Sequence, residues 1–346
     1  MLLLLPRLRA MRIRYILVPN RSPTQEAGRY AFEREALTGF AVEFIECLPD
    51  FDSIARHANK ADAIYVRGMP ISREMIEALS SCKAIVLASS GYDNIDIDAA
   101  TEKGLPVINC PDTFAEEVAD HAMTLLLASH RRVLDQDAKV RAGQWSELRR
   151  DLLNVDRLRG QLLGIIGFGR VGRAVAVRAK AFGLQIVVND PYLHEDVIIA
   201  AGAHPAALSE VIETSDYISL HVPGTSETRQ LINDDRLRMM KKTAILINTS
   251  RGSVVDEQAL AEALRLGRLA GAGLDVLEIE PPDLSNALLQ APNTLITPHC
   301  SSASSRFEPA RKRRVGQELA LVFRGFQPLS CVNPEVLRRS ELRKRV

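Results

Sequence analysis

From residue 12 onward, short β-branched runs alternate with longer amphipathic stretches, and no other property of the sequence limits the fold so tightly. Runs at 13–18, 41–45, 63–66, 84–88 and 107–109 read as strands, with helical patterns such as 25–36 and 72–79 between them. Strands joined through helices imply a parallel sheet with right-handed crossovers, because an antiparallel pair needs only a short turn. A long helical pattern follows from about residue 114 to 133. Pro111, Asp112 and Thr113 stand before it, so Asp112 or Thr113 is expected to cap it, with Glu116 and Glu117 complementing its positive end. A second alternating series has strand-like runs at 162–166, 185–189, 217–222, 243–248, 271–276 and 294–297. Six such runs match the strand count of a doubly wound dinucleotide fold. The last helical pattern, 305–324, comes after that series is complete and is expected to return to the first domain.

The chain of 346 residues predicts two domains at about 150 residues each. Lys and Arg total 44 against 43 Asp and Glu, a formal charge of +1, so neither nucleic acid nor a membrane surface is an expected partner. Basic runs at 311–314 and 343–345 read as a solvated helix face and a tail. The five cysteines (Cys47, Cys82, Cys110, Cys300, Cys331) show neither a CxxC pair nor Cys/His ligand spacing. No disulfide framework or metal site is expected, and a reducing, cytoplasmic compartment fits. Pro6 and Arg7 end the leucine run at 2–5, whereas a signal peptide needs at least about 7 apolar residues and a membrane span about 20. Met11 is a candidate start, and 1–10 and 339–346 read as tails.

Gly167-Phe168-Gly169-Arg170-Val171-Gly172 follows the apolar run 162–166 and opens the helical pattern 170–182. Gly167 permits the tight turn, Gly169 lets a pyrophosphate approach the backbone, and Gly172 lets the helix pack closely. The helix start, at Arg170 and Val171, offers free N–H groups to phosphate. The next strand-like run ends in Asp190, placed to accept bonds from an adenosine ribose and to repel a 2′-phosphate. No Arg or Lys follows it directly; Pro191 and Tyr192 do. NAD rather than NADP is the expected cofactor. The alternative is a glycine turn in an unrelated sheet with a chance acid.

Three chemistry-bearing residues sit at turn-like ends of later strand runs, where an open α/β sheet binds ligands. Arg251 lies in Asn248-Thr249-Ser250-Arg251-Gly252, Glu280 follows Gly273-Leu274-Asp275-Val276, and His299 ends Thr297-Pro298-His299. Each alone has a structural explanation: a surface Arg, an acid before prolines, a satisfied histidine. Together they supply what carbonyl reduction beside a nicotinamide requires. A cation orients an anionic substrate, an acid protonates the developing alkoxide, and a carboxylate holds the imidazolium.

With these motifs, and with Ser90-Gly91-Tyr92-Asp93-Asn94-Ile95-Asp96 and His221-Val222-Pro223, the sequence resembles the D-isomer-specific 2-hydroxyacid dehydrogenases from about residue 12 to 333. That family includes phosphoglycerate dehydrogenases, glyoxylate/hydroxypyruvate reductases and the C-terminal binding proteins, the last branch being nearest in pattern. The resemblance implies a Rossmann NAD domain (113–301) inserted into a flavodoxin-like substrate domain (11–112, completed by the return helix in 302–338). It implies Arg251 on the substrate carboxylate and carbonyl, His299 as acid and base, and Glu280 as its partner. The Ser90-Gly91 backbone would receive the carboxylate, Ser90 would also lie at the cofactor, and the Arg67-Gly68 loop would close over the substrate. Val222 and Thr249 would line the cofactor cleft, with Asp275 on the nicotinamide side.

A homodimer acting on a small 2-oxo or 2-hydroxy acid is implied. Glu280, where a Gln would stand, argues against the formate dehydrogenase branch, and the chain end at Val346 against long-form phosphoglycerate dehydrogenase. Gly224 replaces the usual Leu, Asp120 the usual Glu, and Cys300-Ser301-Ser302 follow the catalytic His; Cys300 reads as pocket lining. The alternative function is that of an NAD(H)-sensing corepressor, against which stands the missing aromatic residue after His299.

Overall fold

The computed structural model describes residues 12–23, 28–145 and 152–344. The expected tail at 1–10, Met11 as a start, the opening of the 25–36 pattern and the last two residues of the C-terminal tail lie outside them. The chain divides into two compact units, Met1–Thr113 with Ser304–Val346, and Phe114–Ala303. No helix among the described residues is long and apolar enough to cross a membrane, and all five cysteines are free thiols.

The first unit is a five-stranded parallel sheet of β1 (Arg14–Pro19), β2 (Val42–Cys47), β3 (Ala61–Val66), β4 (Ile85–Leu87) and β5 (Val107–Ile108), in the order β2-β1-β3-β4-β5. Its central strands are largely apolar because helices cover both faces, and the one buried acid among them, Asp62 of β3, is paired with Arg14 at 2.8 Å. Leu17, Ile64, Ile85 and Leu87 pack with Ile54 and Ile76 on one side. Ile16, Ala63 and Val86 pack on the other with Val315, Leu319 and Val322 of the helix Phe307–Phe323. That helix lies hard against the helix Ala31–Ala36: a Cβ on Gly316 would fall 2.3 Å from the Glu33 carbonyl oxygen.

Two sequence expectations are corrected in this unit. The basic run at 311–314 is not a solvated face. Arg314 is buried, its Nη1 donating to both oxygens of Asp112 (3.0 and 2.8 Å) and its Nη2 to Glu318 Oε1 at 2.8 Å. Arg313 pairs with Glu35 at 2.6 Å, and Arg311 pairs with Glu308. Asp112 is therefore no helix cap: two charge-assisted bonds to a guanidinium outcompete a single backbone N–H. Nor does Thr113 cap, since its hydroxyl donates to the Cys110 carbonyl at 3.3 Å. The helix Ala115–Arg131 begins after Phe114 without a side-chain cap.

The second unit is a seven-stranded parallel sheet: β6 (Leu162–Ile166), β7 (Gln185–Asn189), β8 (His204–Pro205), β9 (Tyr217–Leu220), β10 (Ile245–Asn248), β11 (Gly271–Leu274) and β12 (Thr294–Ile296). The order is β12-β11-β10-β9-β6-β7-β8, so the winding reverses between β6 and β9. The six-strand expectation is short by β8, a two-residue edge strand with no apolar run to announce it. The helix Ala115–Arg131 packs on β10 and β11. Gly273 permits this contact, because a Cβ there would lie 2.9 Å from Leu125 Cβ. Arg132, left-handed at φ 48°, ends that helix and starts a second, Val133–Arg141.

Candidate active site

At the switch point the β6–helix turn is built for close approach. Gly167 has φ +90°, and a Cβ on it would strike the His221 carbonyl oxygen (2.7 Å) and Val222 Cγ1 (2.9 Å). A Cβ on Gly172 would fall 2.3 Å from the Gly167 carbonyl oxygen, so only glycine lets the helix Arg170–Ala181 start directly over the turn. Gly169 N-caps this helix with no side chain, and a Cβ built on it would meet nothing within 4 Å. Arg170 and Val171 form the first helical positions, where N–H groups are free for an anion. Asp190 stands after β7, Oδ2 accepting from Phe168 N–H (2.8 Å) and Oδ1 from Tyr192 N–H (3.0 Å). Thr249 Oγ1 is buried with no hydrogen-bond partner among the described residues. A glycine cradle, an open helix start, an acid after β7 and an orphaned hydroxyl suit a nicotinamide dinucleotide.

Beside this cradle, the ends of β10, β11 and β12 gather the charged groups. The turn after β10 is fixed by Asn248, which accepts from Ser250 N–H (3.0 Å) and donates to the Arg251 carbonyl (2.8 Å). Gly252 then presses onto the chain after β11: a Cβ there would overlap Leu277 C at 1.9 Å and Glu278 N at 2.2 Å. This contact brings Arg251 toward the Glu280 loop, close enough for its charge to act on both Glu280 and His299. Gly224, the departure after His221-Val222-Pro223, lies under the Arg251 stem, 3.0 Å from its Cγ as measured from a built Cβ.

His299 Nδ1 meets Glu280 Oε2 at 2.6 Å, which leaves Nε2 for proton exchange. The bond to Glu280 raises the imidazole above the ordinary histidine value, against burial and the Arg251 charge. Burial alone would push the Glu280 carboxyl up. The bond from His299 and the Leu277 N–H at 3.0 Å outweigh it, so Glu280 sits below the ordinary carboxylate range.

Asp275 is fully buried beneath His299. Its Oδ1 accepts from Thr297 Oγ1 (2.6 Å) and Cys300 N–H (2.9 Å), its Oδ2 from Ser301 N–H (2.9 Å), and its carbonyl from His299 N–H (2.8 Å). These bonds overcome the effect of burial and hold it ionised. His121, Asp275 and Cys300 bring donor atoms within 4.8 Å of one another. A metal there would have to displace bonds that Asp275 already accepts. His221, of the His-Val-Pro motif, bonds Ser219 Oγ at 2.8 Å, and burial lowers its imidazole to about 3, so it is neutral.

In the first unit, Arg67 and Gly68 (φ 75°) follow β3, and Ser90 and Gly91 follow β4. Asn94 stitches the two loops together by donating to the Met69 carbonyl at 2.6 Å, and Asn109 donates to the Ser90 carbonyl at 2.7 Å. The structure thus gathers Arg251, Glu280, His299 and Asp275 in one unit with the glycine cradle, and Arg67, Gly68, Ser90 and Gly91 in the other. Sequence reading passed over His121, whose Nε2 lies 2.9 Å from Thr297 Oγ1. Its position in an apolar helix gives no local signal.

Residues 123–301 match the family described as D-isomer specific 2-hydroxyacid dehydrogenase, NAD binding domain. A glyoxylate reductase from Korarchaeum cryptofilum is 42% identical over 270 residues, covering 78% of this chain and 81% of the relative. A solved NADPH-dependent glyoxylate/hydroxypyruvate reductase from Sinorhizobium meliloti, in complex with NADP and malonate, superposes with TM-score 0.79 at 32% identity, over 96% of this chain and 99% of that one. The D-lactate dehydrogenase of Aquifex aeolicus, complexed with NAD and lactic acid, gives TM-score 0.79 at 27% identity, over 94% and 98%. Fold and site define a nicotinamide-dinucleotide-dependent oxidoreductase. The chain belongs to the D-isomer-specific 2-hydroxyacid dehydrogenase family, whose NAD-dependent chemistry it shares.

Proposed function

We propose that the chain reduces a small 2-oxo acid to the D-2-hydroxy acid with NADH, and runs the reverse with NAD. The observation that carries this reading is the His299–Glu280 pair with Arg251 beside it, on the same sheet ends as the glycine cradle. When bound, the dinucleotide supplies the hydride in reduction and accepts it in oxidation. Arg251 holds the substrate carboxylate and draws charge onto the carbonyl oxygen. His299 Nε2 delivers a proton to that oxygen as charge develops, and Glu280 stabilises the imidazolium that must be present beforehand. In oxidation the neutral imidazole takes the proton back. The Ser90-Gly91 backbone receives the substrate carboxylate, the Arg67-Gly68 loop closes over the substrate, and Ser90 also serves the cofactor.

Asp190 favours NAD, because a 2′-phosphate would face a carboxylate. Val222 and Thr249 line the cofactor cleft, the Thr249 hydroxyl gaining its missing partner, and Asp275 supports the nicotinamide side. The assembly is a homodimer, supported by the exposed apolar Val133, Leu134, Val140 and Trp145, which a second copy would cover. The five free thiols support a cytoplasmic location. The relatives reported above are reductases and a dehydrogenase, and no observation favours the corepressor reading.

His299→Ala tests the assignment. Turnover should fall by at least about a hundredfold, the usual worth of a general acid, while the affinity for NADH stays within twofold. Equal losses in both would overturn it.

A further inference from the structure

The turn Thr297–Ser301 carries His299 in a left-handed backbone conformation, φ 49°. A non-glycine residue holds this conformation only where its surroundings enforce it. The enforcement comes from Asp275, which accepts the N–H groups of His299, Cys300 and Ser301 and the hydroxyl of Thr297. One link in this set depends on a residue from a different element. The Thr297 hydroxyl has a single proton, and it goes to Asp275 Oδ1 at 2.6 Å, an acceptor-only carboxylate. The 2.9 Å contact between Thr297 Oγ1 and His121 Nε2 therefore needs its proton from the imidazole. His121 Nε2–H donates to Thr297, and this bond fixes which way the hydroxyl turns. With His121 absent, the Thr297 hydroxyl is free to rotate away, and Asp275 loses one of the bonds that hold the turn.

We propose that His121, from the helix Ala115–Arg131, is a positioning residue for His299: its Nε2–H orients Thr297 onto Asp275 and so keeps the His299 turn in its working conformation. His121 Nε2 lies 2.9 Å from Thr297 Oγ1 and 3.5 Å from Asp275 Oδ1, and it acts through these two residues. The proposal rests on the reading of His299 as the acid–base group.

The test compares His121→Phe, which removes the donor, with His121→Gln, whose amide N–H can reach the same oxygen. Thr297→Val removes the hydroxyl itself. Turnover with NADH and a 2-oxo acid, KM for the acid and NADH affinity are measured for each. His121→Phe and Thr297→Val should each lower kcat by about tenfold, the scale of one hydrogen bond around an ionised group. Their double variant should lose no more than either alone, as expected for two members of one link. NADH affinity should stay within twofold, and His121→Gln should recover most of kcat. Unchanged kcat in the Phe or Val variant overturns the proposal, as does a Gln variant no better than Phe. His299→Gln serves as the control. If it turns over like the parent, the acid–base reading itself is wrong and the proposal falls with it; if it is inactive while His121→Phe is not, only the role of His121 is refuted.

Discussion

His299 Nδ1 and Glu280 Oε2 meet at 2.6 Å although they stand nineteen residues apart, at the ends of neighbouring parallel strands. The contact sets the charge state on which reduction depends. Glu280 raises the imidazole above the ordinary histidine value, so His299 stays protonated to higher pH than a free histidine. The rate of 2-oxo acid reduction should therefore fall as pH rises through that raised value, while oxidation should rise over the same interval. In Glu280→Gln the carboxylate charge is gone, and the midpoint of the kcat/KM profile for reduction should move to lower pH. A profile with the same midpoint in both proteins would show that the pair does not set the proton donor.

Arg251 is held from below by Gly224 and through its carbonyl by Asn248. Arg251→Lys keeps the charge and loses the planar fork that matches a carboxylate. KM for the 2-oxo acid should rise by about tenfold or more, on the scale of about 1.4 kcal/mol, with NADH affinity preserved. Fluorescence titration with NADH alongside steady-state kinetics checks the split.

Asp190 presents its carboxylate where an adenosine ribose is expected, fixed by the N–H groups of Phe168 and Tyr192. Asp190→Ala removes the acceptor and the repulsion together. NADH should bind more weakly and NADPH more tightly, narrowing the ratio of the two dissociation constants by at least about tenfold. An unchanged ratio would place discrimination elsewhere.

Within the first unit, buried Arg314 and Glu318 on the helix Phe307–Phe323 pair with each other, and Arg314 also holds Asp112, at the end of the unit's first stretch of chain. Burial raises the Glu318 carboxyl even with Arg314 beside it. Arg314→Met leaves that carboxylate buried without its cation and should cost about 3–5 kcal/mol in urea unfolding at neutral pH. The loss should shrink as pH falls and Glu318 takes up a proton.

The parallel α/β class was legible in the sequence because buried central strands are written as β-branched runs, as at 162–166 and 185–189. The glycine cradle was legible for a related reason: Gly167, Gly169 and Gly172 each do a local job within one turn. The seventh strand was not, since His204 and Pro205 owe their pairing to β7 rather than to their own pattern. The cap expected of Asp112 failed because its carboxylate is taken by Arg314, 202 residues away. The same long-range pairing made the basic run look solvated. Around His299, the Asp275 bonds and the His121–Thr297 contact depend on three elements meeting at the sheet ends, which no local spacing records. Gly252 ends the Asn248–Gly252 motif with no local sign that it must be glycine; that requirement comes from the Leu277–Glu278 backbone packed against it.

The most direct test of the whole account follows NADH absorbance in the purified protein with glyoxylate, hydroxypyruvate and pyruvate, and then assigns the configuration of each chiral product. The account predicts consumption of NADH with at least one of these acids and a product of the D configuration. Tight NADH binding with no turnover on any 2-oxo acid, or a product of the L configuration, would contradict it.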